Sequence, residues 1–382
     1  MQNTEMEARL QQLLAANGEE VRIARGRELK KQGRQIVGSV CHFMANELFW
    51  AGGLQSWRIS GTWRAAVPRA DVYRPQNACG FCTHVLESMF SGDLDFLAGA
   101  VISFKDDDMR RLHGVIEHKK QVPFLRYLHV PHKDIDTSVN FFTEELQDLR
   151  KAIEDHFKVE ITEQTLGDAI GLYNENRRLF QELYELRKRD VPPLSGAEYL
   201  SITTAAFGLP PDDLNRELKA LMPYLKEREA TFVSMRPRLM VSSDHLDHPG
   251  YMEMIESAGC VVAMDDMDTG TGSCWGQVDP NLPPLEALAR HYLTDVPNAR
   301  ADFWEKQLDQ VVSWARDWRI DGVLEFPQMY CQPRLYGVVY FEARMKQAGI
   351  PVVTILRDYA LTNMGQLRTR VGAFLEVLKV HA

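Results

Sequence analysis

FLAGAVISFKDDDMRRLHGVIEHKK, residues 96–120, decides the fold class. Its first nine residues run apolar with one serine and no alternation, as a strand does when a parallel sheet buries both of its faces. Asp106, Asp107 and Asp108 follow, at the place where a starting helix has free N–H groups and the positive end of its dipole, and the pattern then turns helical. A buried strand leading directly into a helix predicts a βα unit. Repeated units of that kind build open α/β sheets.

The neighbouring segments repeat it. QIVGSVCHF (35–43) reads as a strand stopping at Cys41 and His42, and MANELFWAGG (44–53) as a helix closing on Gly52 and Gly53. LQSWRISGTW (54–63) is a further strand, NACGFCTHVLESMF (77–90) turns from loop to helix at its second Cys, and FLRYLHVP (124–131) is another strand. Residues 35–138 thus predict a first α/β domain, preceded by two helices in 1–34 where Met6, Leu10, Leu13 and Leu14 fall at helical spacing. Residues 139–236 lose the strand signal and show three amphipathic helical stretches, a bridge or cap with solvated charged faces. From 237 to 382 the βα rhythm returns in RLMVSS, CVVAMDD, IDGVLEF and IPVVTIL, each alternating with a helix. The expected fold is α/β: two Rossmann-like parallel-sheet domains with an intervening helical region.

Composition bounds the function. A chain of 382 residues suits two domains, and 45% hydrophobic with 25% charged residues is globular. Forty-four basic against 53 acidic residues give a net charge of −9, so no basic field exists to hold nucleic acid. No apolar run reaches the ~18 residues that span a membrane, and the acidic amphipathic start differs from a signal peptide. A cytoplasmic location is expected. In that reducing compartment the 6 Cys are read as buried thiols, metal ligands or a catalytic thiol instead of disulfides.

GxSxG, Walker GxxxxGK[ST], HExxH and an early GxGxxG are all absent. DTGTGSCWG (268–276) is a weak phosphate-loop signal and otherwise a loop at a strand's carboxyl end. Cys79 and Cys82 form one C-x-x-C straddling a helix start, which excludes a four-Cys ribbon and leaves a thioredoxin-like dithiol only if the fold matches. Cys260 opens an apolar strand and reads as core, whereas Cys41, Cys274 and Cys331 each follow a predicted strand. Thiols from separate strand ends that converge in one crevice are what an iron–sulfur cluster requires. His42 and His84 neighbour candidate thiolates; a structural role competes for both. His245 and His248, in SSDHLDHPG, suggest either a metal or a helix cap.

Five segments resemble, in order, the 2-hydroxyacyl-CoA dehydratase and benzoyl-CoA reductase family. ANELFWAGGLQSWRISG resembles its P-x-E-L-[IF]-x-A-x-G signature, with Ala45 in place of Pro, and NACGFCTHVLES its first cluster-Cys segment. AVISFKDDDMRRL resembles the buried strand before x-C-D-x-M-R-R-L, ESAGCVVAMDDMDTGTGS the G-x-x-V-x-D-D loop, and FPQMYCQPRLYGVVYFEARMKQAGIPVVTILRDY the last cluster-Cys segment. Together they span roughly residues 35–370.

The resemblance implies a [4Fe-4S] cluster bound by Cys79 and Cys331. The middle ligand departs, because Asp106 stands where the family has Cys, and a carboxylate is a poor substitute for thiolate on iron–sulfur. Cys41 is the candidate for that bond and Cys82 the next. By the same resemblance Glu47, within the signature, joins His42 and His84 as a catalytic candidate. Length and texture resemble the smaller cluster-binding subunit of an ATP-dependent benzoyl-CoA reductase, which passes low-potential electrons to an aryl-CoA thioester and gives a dienoyl-CoA. Implied partners are a homologous larger subunit, an ATP-hydrolysing activator pair and ferredoxin. An (R)-2-hydroxyacyl-CoA dehydratase subunit and a cluster-free structural partner remain the alternatives.

Overall fold

The structure, a computed structural model, describes residues 2–41, 43–104, 106–133, 135–229, 237–295 and 304–381. Among the described residues eight strands form two sheets, parallel throughout. The first joins β1 (Ile36–Val40), β2 (Gln55–Arg58), β3 (Gly99–Phe104) and β4 (Phe124–His129) in the order β2-β1-β3-β4. In the second, β5 (Arg238–Ser242), β6 (Val261–Asp266), β7 (Gly322–Glu325) and β8 (Val352–Thr354) run β6-β5-β7-β8. The expected α/β class with two parallel sheets is what the chain adopts.

Both halves therefore share one topology, with the first strand between the second and the third. That reversal of order opens a crevice at the carboxyl ends of the first and third strands, where ligands of open α/β sheets bind. The interior strands β1 and β7 are buried along their whole length, while the edge strand β4 is buried only at Phe124 and Leu128. β2 is shorter than the apolar run suggests. Beyond Ile59 the chain passes beneath another element: a Cβ on Gly61 would lie 2.5 Å from His84 Cβ and 2.7 Å from the Tyr359 ring. Only glycine fits that approach.

The helices of residues 139–229 pack into the cores of both halves. In the Asp136–Phe157 helix, Phe142, Leu146, Leu149 and Ile153 make one stripe that packs on Val37, Val101 and Phe124 of the first sheet. Leu179, Phe180 and Leu183 of the Glu163–Leu186 helix share a core with Met240, Met264, Trp314 and Val323 of the second half. Leu10 and Leu13 of the Gln2–Ala15 helix join that same core. The Glu163–Leu186 helix also places Leu166 and Ile170 in the first-sheet core, so at about 1.5–3 kcal/mol per fully buried large apolar side chain it ties the halves together. The expected boundary at 236–237 meets residues 230–236, outside the described residues. Among the described residues no helix is long and apolar enough to cross a membrane.

Candidate functional site

Three loops from each half converge, each leaving the carboxyl end of a strand. Cys41 follows β1, Cys79 lies between β2 and β3, and Asp106 follows β3. In the second half His245 follows β5, Asp268 follows β6, and Gln328 and Cys331 follow β7. Because the topologies match, these are corresponding positions: Cys41 with His245, Cys79 with Asp268, Asp106 with Cys331.

The halves touch through the same loops. The Gln328 side-chain amide lies 3.3 Å from Cys79 Sγ, and with its oxygen turned to the helix it accepts from the N–H groups of Gly80 at 2.9 Å and Phe81 at 3.1 Å. Phe81 stacks on His245, ring centroids 3.9 Å apart. Tyr359 packs against His84 and donates to Asp247 Oδ2 at 2.7 Å. An ion-paired frame holds the second-half loops: Arg357 donates to Asp244 Oδ1 (2.7 Å) and to the His245 carbonyl (2.9 Å), and Asp244 accepts from Gln328 N–H (3.0 Å). Behind it, Arg334 binds both oxygens of Glu325 at 2.7 Å.

Cys79 is the N-cap of the Gly80–Phe90 helix and Cys331 that of the Gln332–Gln347 helix, and both are buried. Helix N-termini favour negative charge, so both thiols sit where a thiolate is stabilised. The Cys82 thiol donates to Cys79 and holds it below the ordinary thiol range, against burial, while Cys82 itself is pushed well above. Cys82 also contacts Met109 Sδ at 3.9 Å. Asp106 accepts from Met109 N–H at 2.9 Å and caps the Asp107–Lys119 helix, and its charge opposes ionisation of both thiols.

The remaining sites divide. Cys41 is buried, has φ +82°, and lies with His245 and Asp268 so that one ligand atom from each is within 4.8 Å of the others. Cys260 sits in an apolar core and Cys274 against Tyr199. His42 lies outside the described residues. The ring of His84 is buried, its Nδ1 bonds the Thr62 carbonyl at 2.7 Å, and burial lowers its pKa. Glu47 is taken up by other partners: its oxygens meet Arg177 at 2.5 Å and Tyr292 OH at 2.9 Å. Arg177 and Tyr292 line a cavity of about 100 Å³ shared with Tyr173, Arg58 and Cys274.

Sequence reasoning weighed His245 as either a metal ligand or a cap and passed over Asp268 and Gln328 as site residues. Of the two histidines it is His248 that caps, its Nδ1 accepting from Gly250 N–H at 3.0 Å. A strand-end position was the available signal for His245 and Asp268, and both carry it.

The family model described as 2-hydroxyglutaryl-CoA dehydratase, D-component matches residues 41–378. The chain is similar to the Escherichia coli (strain K12) protein YjiM, named for a dehydratase subunit, with 26% identity covering 92% of this chain and 93% of that one. A benzoyl-CoA reductase subunit of Thauera aromatica is 23% identical over 91% of this chain and 92% of its own length. The beta subunit of (R)-2-hydroxyglutaryl-CoA dehydratase of Acidaminococcus fermentans is 22% identical, covering 91% and 94%. With the match running from Cys41, at the end of β1, through the second sheet to residue 378, this chain belongs to the 2-hydroxyglutaryl-CoA dehydratase D-component family.

Proposed function

We propose that the chain is the smaller iron–sulfur subunit of an ATP-dependent benzoyl-CoA reductase, acting with a homologous larger subunit on an aryl-CoA thioester to give a dienoyl-CoA. The observation that carries this reading is the contact of Cys79 with Gln328, which joins the two segments that bear the thiols of opposite halves. Similarity to the Thauera aromatica benzoyl-CoA reductase protein supports it.

The donor set fits a [4Fe-4S] group: buried sulfurs from separate segments, two of them at the positive ends of helices. Cys79 and Cys331 would hold it, with Cys82, whose thiol hydrogen-bonds Cys79, as the third sulfur in preference to Cys41 and Asp106. When bound it supplies one-electron reduction at low potential. The residues of this chain exclude water through Phe81, Tyr359 and His245, all buried, and Gln328 sets an amide beside the sulfur. His84, packed against Tyr359, and His42 are proposed as proton carriers, and Glu47 is proposed to position Arg177 and Tyr292 in a cavity wall. An activator pair that hydrolyses ATP, fed by ferredoxin, would be separate proteins, in accord with the missing Walker motif.

A second reading, a subunit of an (R)-2-hydroxyacyl-CoA dehydratase, draws on the family model and the dehydratase relatives. Anaerobic co-purification with the partner subunit tests both: iron and acid-labile sulfide are expected, and a colourless, iron-free complex leaves only a structural partner. ADP formed stoichiometrically with reduced benzoyl-CoA supports the reductase. Turnover of a 2-hydroxyacyl-CoA with catalytic ATP assigns the dehydratase.

A further inference from the structure

We infer that Cys41, His245 and Asp268 form a mononuclear binding site for a divalent, borderline-soft transition-metal ion such as Zn²⁺, separate from the Cys79 and Cys331 thiols. The three residues come from three strand ends and both halves, yet their ligand atoms lie within 4.8 Å of one another, with His245 Nε2 3.3 Å from Asp268 Oδ2. Cys41 and His245 are buried and the Asp268 side chain is 13% exposed, so bulk water competes little.

The donor chemistry selects the ion. One thiolate, one imidazole and one carboxylate match the preferences of Zn²⁺, whereas Mg²⁺ and Ca²⁺ take oxygen ligands alone. Three protein ligands leave a fourth tetrahedral position for water or a ligand oxygen.

The surroundings hold each ligand in place. Phe81 stacks flat on the His245 ring, and the His245 carbonyl accepts from Arg357, whose guanidinium is paired with Asp244. Ser273 Oγ donates to the Asp268 carbonyl at 2.6 Å, and Thr269 Oγ1 donates to the Leu246 carbonyl at 2.6 Å, tying the two second-half loops together. Partners of this kind fix ligand orientation in metal sites. Cys41 supplies an independent mark. It holds φ +82°, a conformation that costs a non-glycine residue on the order of 1–3 kcal/mol and gathers at functional positions. Glycine would carry that backbone without strain; the thiol is what glycine lacks.

The test uses the full-length chain freed of metal and kept anaerobic. Co²⁺ is expected to bind at one equivalent with a thiolate-to-metal charge-transfer band, and Zn²⁺ to displace it. Cys41→Ser should abolish the band, and His245→Gln or Asp268→Asn, each removing one of three ligands, should weaken Zn²⁺ binding by more than the roughly 10- to 100-fold that loss of a ligand's outer support costs. In a Cys79→Ser/Cys331→Ser background the band should persist. No band, a band that survives Cys41→Ser, or one lost with Cys79 and Cys331 would overturn the inference. So would loss of iron and sulfide from the co-purified complex on Cys41→Ser, which would make Cys41 a cluster ligand. Failure of the cluster reading itself shows as an iron-free wild-type complex and leaves the Co²⁺ result standing.

Discussion

Glu47 is completely buried and ends in two bonds that occupy both carboxylate oxygens, one from Arg177 and one from Tyr292. Removing one member of such a pair strands the other charge out of water. Glu47→Ala is therefore expected to lower stability by roughly 3–5 kcal/mol in urea unfolding, and a change under 1 kcal/mol would deny the pair its structural weight. His248 sets a pH dependence. Burial, aided by the Arg22 guanidinium, pushes its pKa down to about 4, and its unprotonated Nδ1 is needed to accept from Gly250. An unfolded His takes up its proton near pH 6.5, so between pH 6.5 and 4 the unfolded state binds a proton that the fold refuses. Stability contributed by this residue is therefore lost as pH falls through that window. Unfolding at pH 7 and pH 5 should show the wild type losing roughly 1–2 kcal/mol more than His248→Gln, after allowance for screening at a half-buried ring; equal losses would contradict the assignment.

At the scale of the element, the loop after β6 shows how little room a strand end has. Gly270 passes so close to Asp265 that a Cβ would stand 2.0 Å from Oδ1 of that buried carboxylate, which accepts from Thr271 N–H at 3.0 Å. Gly270→Ala must push the carboxylate or the backbone aside. It should cost roughly 1–3 kcal/mol by the usual penalty of overpacking, and it should also weaken the binding of Co²⁺, since Asp268 lies two residues away. Unchanged stability with unchanged metal affinity would show that the loop relaxes freely. The elements themselves were legible where local signals agreed. The 96–104 run, the acids at 106–108 and the C-x-x-C at a helix start each read correctly because burial on both faces, capping and dipole all act within a few residues. The overlong β2 was not, since the constraint that ends it is the ring of Tyr359, far along the chain.

At the scale of the molecule, the halves are joined by a few polar bonds set in apolar contacts. Tyr359 OH reaches both Asp247 and the Gly61 carbonyl, at 2.7 and 3.2 Å, and its ring meets Phe81 and His84. Tyr359→Phe keeps the ring and removes the hydroxyl, leaving a buried acid short of a partner at a cost of about 1–3 kcal/mol. Amide exchange in the 59–63 and 244–248 segments should quicken relative to the sheet interiors; uniform protection would show that the crevice does not depend on this bond.

The sequence by itself determined the parallel α/β class, the eight strands in order, the helical stretch between the halves, and the family, because each rests on local periodicity or on short segments in fixed succession. Tertiary structure alone decided which chemistry-bearing side chains meet. Cys41 read as the first candidate for one bond and Cys82 as the next, and folding gave them different neighbours: His245 and Asp268 for the first, Cys79 and Met109 for the second. Nothing within reach of a local pattern joins residues 41, 245 and 268. They come together because two sheets of the same strand order face each other, and equivalent strand ends then open into one crevice.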